Sequence, residues 1–226
     1  MFANDRDLII LEPRLFFDVL WTAQRLVDSA TGGAINAAGD TLTITAGNLI
    51  NLNITGGMIA LVAGSPLEVI DRIDATNLRI SRLRAAESDA LIPAAQGSAL
   101  KVTIHTFRPQ VQVIHDQLLR SFGIEPAISQ SPGGTPEPQP ASDSLTESAI
   151  TNPRAFSLAE ALGTLHLVYT SAAAVVGGDS PMWAKALMYR DRYAAERRRI
   201  VAEIDLNNDG EPDTTRRTNI FQFTRA

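Results

Sequence analysis

Cysteine is absent from this 226-residue chain, which excludes disulfides, a thiolate nucleophile and any zinc site built on sulfur. Histidine is almost as scarce. The three copies, His105, His115 and His166, fall in three separate expected elements. None has a second histidine or a carboxylate at the spacing by which one helix holds a metal, so each is read as a surface or polar core residue. Basic excess is lacking too: 20 Lys plus Arg stand against 25 Asp plus Glu, for a net charge of -5. A surface that grips phosphate backbones wholesale is therefore excluded, and no sequence-specific nucleic-acid contact is expected. The longest apolar stretch, residues 158–176, contains Glu160 and His166 and closes on Gly177 and Gly178, so it reads as a buried helix rather than a membrane span. Near the start, Asp5, Arg6, Asp7, Glu12 and Arg14 interrupt the apolar residues before a signal-peptide core can form. The expectation is a soluble protein made in the cytoplasm.

What is present is apolar material, 45% of the chain, enough to bury a sizeable core. Residues 13–30 set Leu15, Phe16, Val19, Leu20, Ala23, Leu26 and Val27 at helical spacing, with Pro13 in the first turn, which predicts an amphipathic helix. After Gly32 and Gly33 the texture changes to short β-type runs at 41–45, 49–54, 58–62, 67–73, 78–83 and 100–107. Turn residues separate nearly all of them, and Leu42 and Ile44 alternate with Thr41, Thr43 and Thr45. Helical spacing returns after Pro109, where Val111, Ile114, Leu118, Leu119 and Phe122 share a face and Gly123 supplies a stop.

Residues 125–152 are rich in Pro, Ser, Gly and Thr and read as a flexible linker or long surface loop. Ser157 with Glu160 three residues on is a capping-box pattern for a helix running to Val176. Asp179 or Ser180, followed by Pro181, then opens a last helix to about residue 204. The expected fold class is α+β. A helical-bundle framework is built from residues 1–31, 108–124 and 153–204, with a small antiparallel sheet or barrel inserted at 32–107. A linker at 125–152 and an Asp-rich turn with an extended tail at 205–226 complete the chain.

No pattern builds a reactive centre, so no catalytic residue is assigned and the chain is read as a non-enzyme. Gly177, Gly178, Asp179 and Ser180 superficially resemble a serine nucleophile's surroundings, but Pro181 makes a helix start the simpler account, and no nucleophile elbow exists elsewhere. The glycine pairs lack the spacing of a phosphate loop. Arg190, Arg192, Arg197, Arg198 and Arg199 are interleaved with Asp191, Glu196 and Glu203, as on a solvated helix face or a subunit interface. One motif has the shape of a cation site: Asp205, Asn207, Asp209, Gly210 and Asp213 follow the first nine positions of a calcium loop. The twelfth position, where a bidentate Glu belongs, is Arg216, and an Asx-rich turn that forms without metal competes with calcium binding. Beyond it, Ile220, Phe221 and Phe223 with Arg225 suit an extended strand, read as a docking tail for a neighbouring protein or as aromatics folded back on the chain's own helices.

The segments FSLAEALGTLHLVYTSAA, DSPMWAKALMYRDRYAAERRRI and DLNNDGEPDTTRR, with Tyr189 and Tyr193 as a Tyr-x-x-x-Tyr stripe, resemble head-to-tail connector (adaptor) proteins of tailed bacteriophages. DTLTITAGNLI, GGMIALVAGSPLEVI and DATNLRISRLR resemble small β-domains inserted in phage virion proteins. The resemblance implies a structural subunit of the virion neck that forms a homo-oligomeric ring, commonly of twelve copies. Such a ring docks between the portal protein and the tail or other neck proteins and is synthesised in the host bacterial cytoplasm. The inserted β-domain and the long Pro-rich segment depart from that pattern. A reading of another class is a calcium-dependent module whose β-domain binds carbohydrate or protein.

Overall fold

Leu42 and Ile44 alternate with threonines, and Leu78 and Ile80 with Asn77 and Arg79. These four apolar side chains are fully buried, as a strand with one core face requires. In this computed structural model, which describes residues 1–126, 145–177 and 180–218, they belong to a closed antiparallel barrel. Its strands are β1 (Gln24–Ile35), β2 (Thr41–Ile44), β3 (Ile59–Val62), β4 (Ser65–Arg72), β5 (Asn77–Arg82) and β6 (Gly97–Thr106), in the order β1-β2-β5-β4-β3-β6. Closure comes from β6, which pairs with β3 at Ile59↔His105 and with β1 at Gln24↔Thr106. Every strand has a neighbour on each side in such a ring, although β1 meets β2 only over Gly33–Ile35. The interior is aliphatic but for Met58, with Val27, Leu42, Ile44, Val69, Leu78, Ile80 and Ile104 among its members.

The barrel belongs to one of two compact units, Asn4–Pro109; the other comprises Met1–Ala3 and Gln110–Ala226. The expected helical-bundle framework is overturned: the chain forms a closed six-strand barrel plus a few helices. The long helix expected over residues 13–30 does not form. Its place is taken by a short helix, α2 (Leu15–Asp18), a 3-10 turn at Leu20–Thr22, and strand β1. The physical reason lies in β1's register shifts between Arg25 and Val27, Ser29 and Gly33, and Gly33 and Ile35. Each bulge breaks the period of two, so the alternation that marks a strand is scrambled and a helical spacing appears by default. Gly33 is a packing requirement rather than a break, since a Cβ there would lie 2.2 Å from Val102 Cγ2. The run at 49–54 is also not a strand. Leu49 and Ile54 are buried, but Asn48 Oδ1 accepts from the amides of Ile50 and Asn51 and holds the backbone in turns.

Helix α1 (Asp5–Leu11) opens with a capping box in which Asn4 and Asp7 bond each other's amides at 3.2 and 3.0 Å. It is fastened to the barrel by polar side chains. Arg6 Nε donates to Glu68 Oε2 at 2.7 Å, and Arg84 Nε donates to the other oxygen of the same carboxylate. All three residues are buried. Asp5 accepts from the Phe107 amide at 2.8 Å. Burial drives the Asp5 carboxyl up to about 6, against the opposing influence of the Thr106 hydroxyl, the Phe107 amide and Arg108.

In the other unit, α3 (Arg108–Ser121, its body beyond Pro109), α4 (Arg154–Val176) and α5 (Pro181–Arg197) are followed by a hairpin of β7 (Ala202–Ile204) and β8 (Thr214–Arg216). The core is partly aromatic: Phe122 and Phe156 meet edge-on at 5.1 Å, and Phe2 stacks on Phe156 at 4.9 Å. The last helix stops at Arg197, short of the expected 204, because Ala202, Glu203 and Ile204 pair with Arg216, Thr215 and Thr214.

Candidate functional site

Helices α4 and α5 form an antiparallel pair whose contact is set by ring side chains and small residues. Tyr169 and Tyr189 stack at 5.7 Å with an interplanar angle of 11°. Lys185 Nζ lies 5.0 Å from the Tyr169 ring centroid and 3.3 Å from its hydroxyl, and Arg197 covers Tyr193 at 5.6 Å. The tyrosine stripe singled out from the sequence is thus an intramolecular seam. Gly163 marks the closest approach, because a Cβ there would stand 2.7 Å from Ile114 Cγ2 of α3 and 3.1 Å from the Tyr193 ring of α5. Only glycine lets three helices converge at that point.

Past this seam the apolar residues run out into solvent. Val175 is 74% exposed, Val176 60% and Trp183 43%, all within the last turn of α4 or the first turn of α5. Gly177, at φ 111°, ends α4. Ser180 occupies the N-cap of α5, yet its hydroxyl makes no cap bond, and Pro181 supplies the first turn instead. Asp179, the other expected cap, lies outside the described residues.

A buried polar group holds α4 from its other end. Glu160, expected as a capping-box partner of Ser157, is completely buried inside the helix, which begins earlier, at Arg154, with Pro153 at the N-cap. Its Oε2 accepts from the amides of Phe2 at 2.7 Å and Ala3 at 3.2 Å, and its Oε1 lies 3.3 Å from His115 Nδ1. His115 Nε2 is 3.2 Å from Glu147 Oε2, and Glu147 Oε1 is 3.3 Å from the Met1 amino group. Burial disfavours the imidazolium, but the hydrogen bond and charge of Glu160, with Glu147 behind it, outweigh that and raise His115 above its usual value. A histidine between two carboxylates could serve as a proton carrier. Here backbone amides hold Glu160 Oε2, the amino group holds Glu147 Oε1, and the ring is 2% exposed, so the arrangement fastens the chain. Sequence reasoning missed it because residues 2, 115, 147 and 160 meet only in three dimensions.

The calcium-like residues sit in the loop between β7 and β8, and their oxygens are occupied by the loop's own donors. Asp205 accepts from the amides of Asn208 at 2.6 Å and Gly210 at 2.7 Å, Asp213 from Leu206 at 2.7 Å, and Asp209 from Glu211 at 2.8 Å. Asn207 Nδ2 donates to Asp209 at 3.0 Å. Desolvation opposes ionisation of Asp205, but these amides prevail and hold its carboxyl below the usual range. Among the described residues no group of three or more His, Cys, Asp or Glu side chains is placed to hold a metal ion. Arg216, at the loop's twelfth position, turns away and donates to the carbonyls of Phe122 at 3.3 Å and Gly123 at 3.0 Å, capping the end of α3. The first residues of the expected docking tail, Thr214–Arg216, are therefore strand β8 of the chain's own hairpin. Ile220, Phe221, Phe223 and Arg225 lie outside the described residues. No protein-family model, curated protein or solved structure matches this chain.

Proposed function

We propose that this chain is a structural assembly subunit without catalytic activity, and that its finer role is that of a head-to-tail connector in a tailed-phage neck, where copies associate into a ring between the portal and the tail proteins. The observation that carries the reading is the exposed apolar end of the α4–α5 pair, with Val175, Val176 and Trp183 presented to water beside a seam already satisfied internally. Side chains of this size are stabilised by about 1.5–3 kcal/mol each when buried, so a repeated contact through this end supplies lateral association. Placement in the neck rests on the sequence resemblance alone. The calcium-module alternative rests on the Asp-rich loop, whose carboxylates accept from the loop's own backbone amides.

The test is the mass of the full chain in solution, by mass photometry and by class averages in negative stain. A closed oligomer is expected for the native chain, and a shift to monomer for Val175→Asp combined with Trp183→Ser. A monomer at all concentrations up to about 100 μM, whose affinity range corresponds to weak association, overturns the self-assembly reading. So does an oligomer indifferent to those substitutions.

A further inference from the structure

At one end of the barrel, where the β3–β4 turn and the ends of β1, β5 and β6 come together, a half-open groove of about 510 Å³ is walled by Ile35, Val62, Leu67 and Leu100. Its size falls within the range of sites that take small molecules. The lining contains no aromatic ring, so the walls suit an aliphatic chain rather than a flat ring system. One lining residue is charged. Arg82 has no ion pair or side-chain hydrogen bond among the described residues, whereas Arg84, two positions on, is consumed by Glu68 and by the carbonyls of Glu87 and Asp89. Arg72 and Arg79 likewise engage carbonyls and Asp71. Ser65 and Gln96 complete the polar part of the lining.

We propose that this barrel end is a binding site for a small aliphatic carboxylate, its chain lying against Val62, Leu67 and Leu100 and its anionic group paired with Arg82. A guanidinium presents parallel donors that fit a carboxylate's two oxygens. Ser65 and Gln96 offer neutral donors, so the site provides for one negative charge and not for a dianion. The proposal concerns the barrel unit alone and stands whether or not the chain forms a ring.

The probe is decanoate, titrated calorimetrically into the full chain below the concentration at which it self-associates, beside decyltrimethylammonium, which has the same chain and opposite charge. Saturable binding of decanoate at one site is expected, with the cation at least about tenfold weaker and Arg82→Gln weakening decanoate about tenfold, as loss of a charge-assisted bond requires. Far-UV circular dichroism checks that the variant keeps its barrel. Should Arg82→Gln fail to fold, the comparison of the two probes on the native chain decides alone. Absence of saturable decanoate binding, equal binding of the cation, or undiminished binding to a folded Arg82→Gln protein each overturns the proposal.

Discussion

The barrel unit and the helical unit solve the same problem with different means. The barrel fills its ring with aliphatic side chains and Met58, keeps one buried aromatic pair, Phe16 with Phe107, in its unit, and gives every strand a partner on each side, which blunts its edges as docking surfaces. The helical unit packs aromatic rings and small residues and leaves an apolar helix end in water. Closure removes an interface; an open helix pair keeps one. Each unit also spends one fully buried carboxylate on tying distant segments together, Glu68 between two arginines in the barrel and Glu160 between two backbone amides and His115 in the helices.

The largest expected effect tests the barrel's buried charges. Glu68→Ala leaves Arg6 and Arg84 buried with one partner removed, and loss of about 3–5 kcal/mol is expected; hydrogen exchange of the barrel strands measures it. Little change there would mean that water or neighbouring carbonyls replace the carboxylate at no cost.

Acidity separates the units next. Asp5 is raised to about 6 when folded, so its contribution is fully present below its unfolded value of 3.8 and is lost as pH rises through about 6. On the order of 3 kcal/mol is involved. Denaturant titrations between pH 4 and 7 should show this fall, and Asp5→Asn should flatten it. His115 is also raised, so its share of the helical unit's stability is present below its unfolded value near 6.5 and is lost as pH rises through the elevated folded value. His115→Gln should remove that higher-pH component alone.

A smaller effect is expected at Gly163. Glycine to alanine inside a helix ordinarily stabilises by about 1 kcal/mol, but the added methyl would meet Ile114 and Tyr193. A net loss of about 1–2 kcal/mol is expected, and a rise in Tm would show that α3, α4 and α5 have room to spare. The smallest effect concerns calcium. Millimolar calcium should leave the Tm of the native chain unchanged, since the loop oxygens already accept from backbone amides. A clear rise abolished by Asp209→Ala would restore the binding-module reading.

Legibility followed the range of the interactions. Strands β2 and β5 could be read because each carries its own alternation, β3 as a short apolar run bounded by turns, and α3 because its apolar residues share a face and Gly123 ends it, whereas the equally apolar run at 49–54 reads as a strand and is not one. β1 could not be read, because its bulges are set by its pairing with β6 rather than by its own pattern. Ser157 and Glu160 looked like a cap for the same reason. A capping box and a buried carboxylate have one sequence signature, and the amides of Phe2 and Ala3 distinguish them only once folded.

Composition and local pattern alone determined that this chain has no thiol chemistry, carries enough apolar residues for a core, and must turn at its glycines and Asx-rich loop. Tertiary structure decided that residues 24–35 are a barrel strand, that Tyr189 and Tyr193 serve an internal seam, and that Glu68, His115 and Glu160 are buried. The division has a physical cause. Turns and caps are governed by interactions across a few residues, whereas strand pairing and buried charge depend on partners tens of residues away, whose energies exceed the local preferences they override.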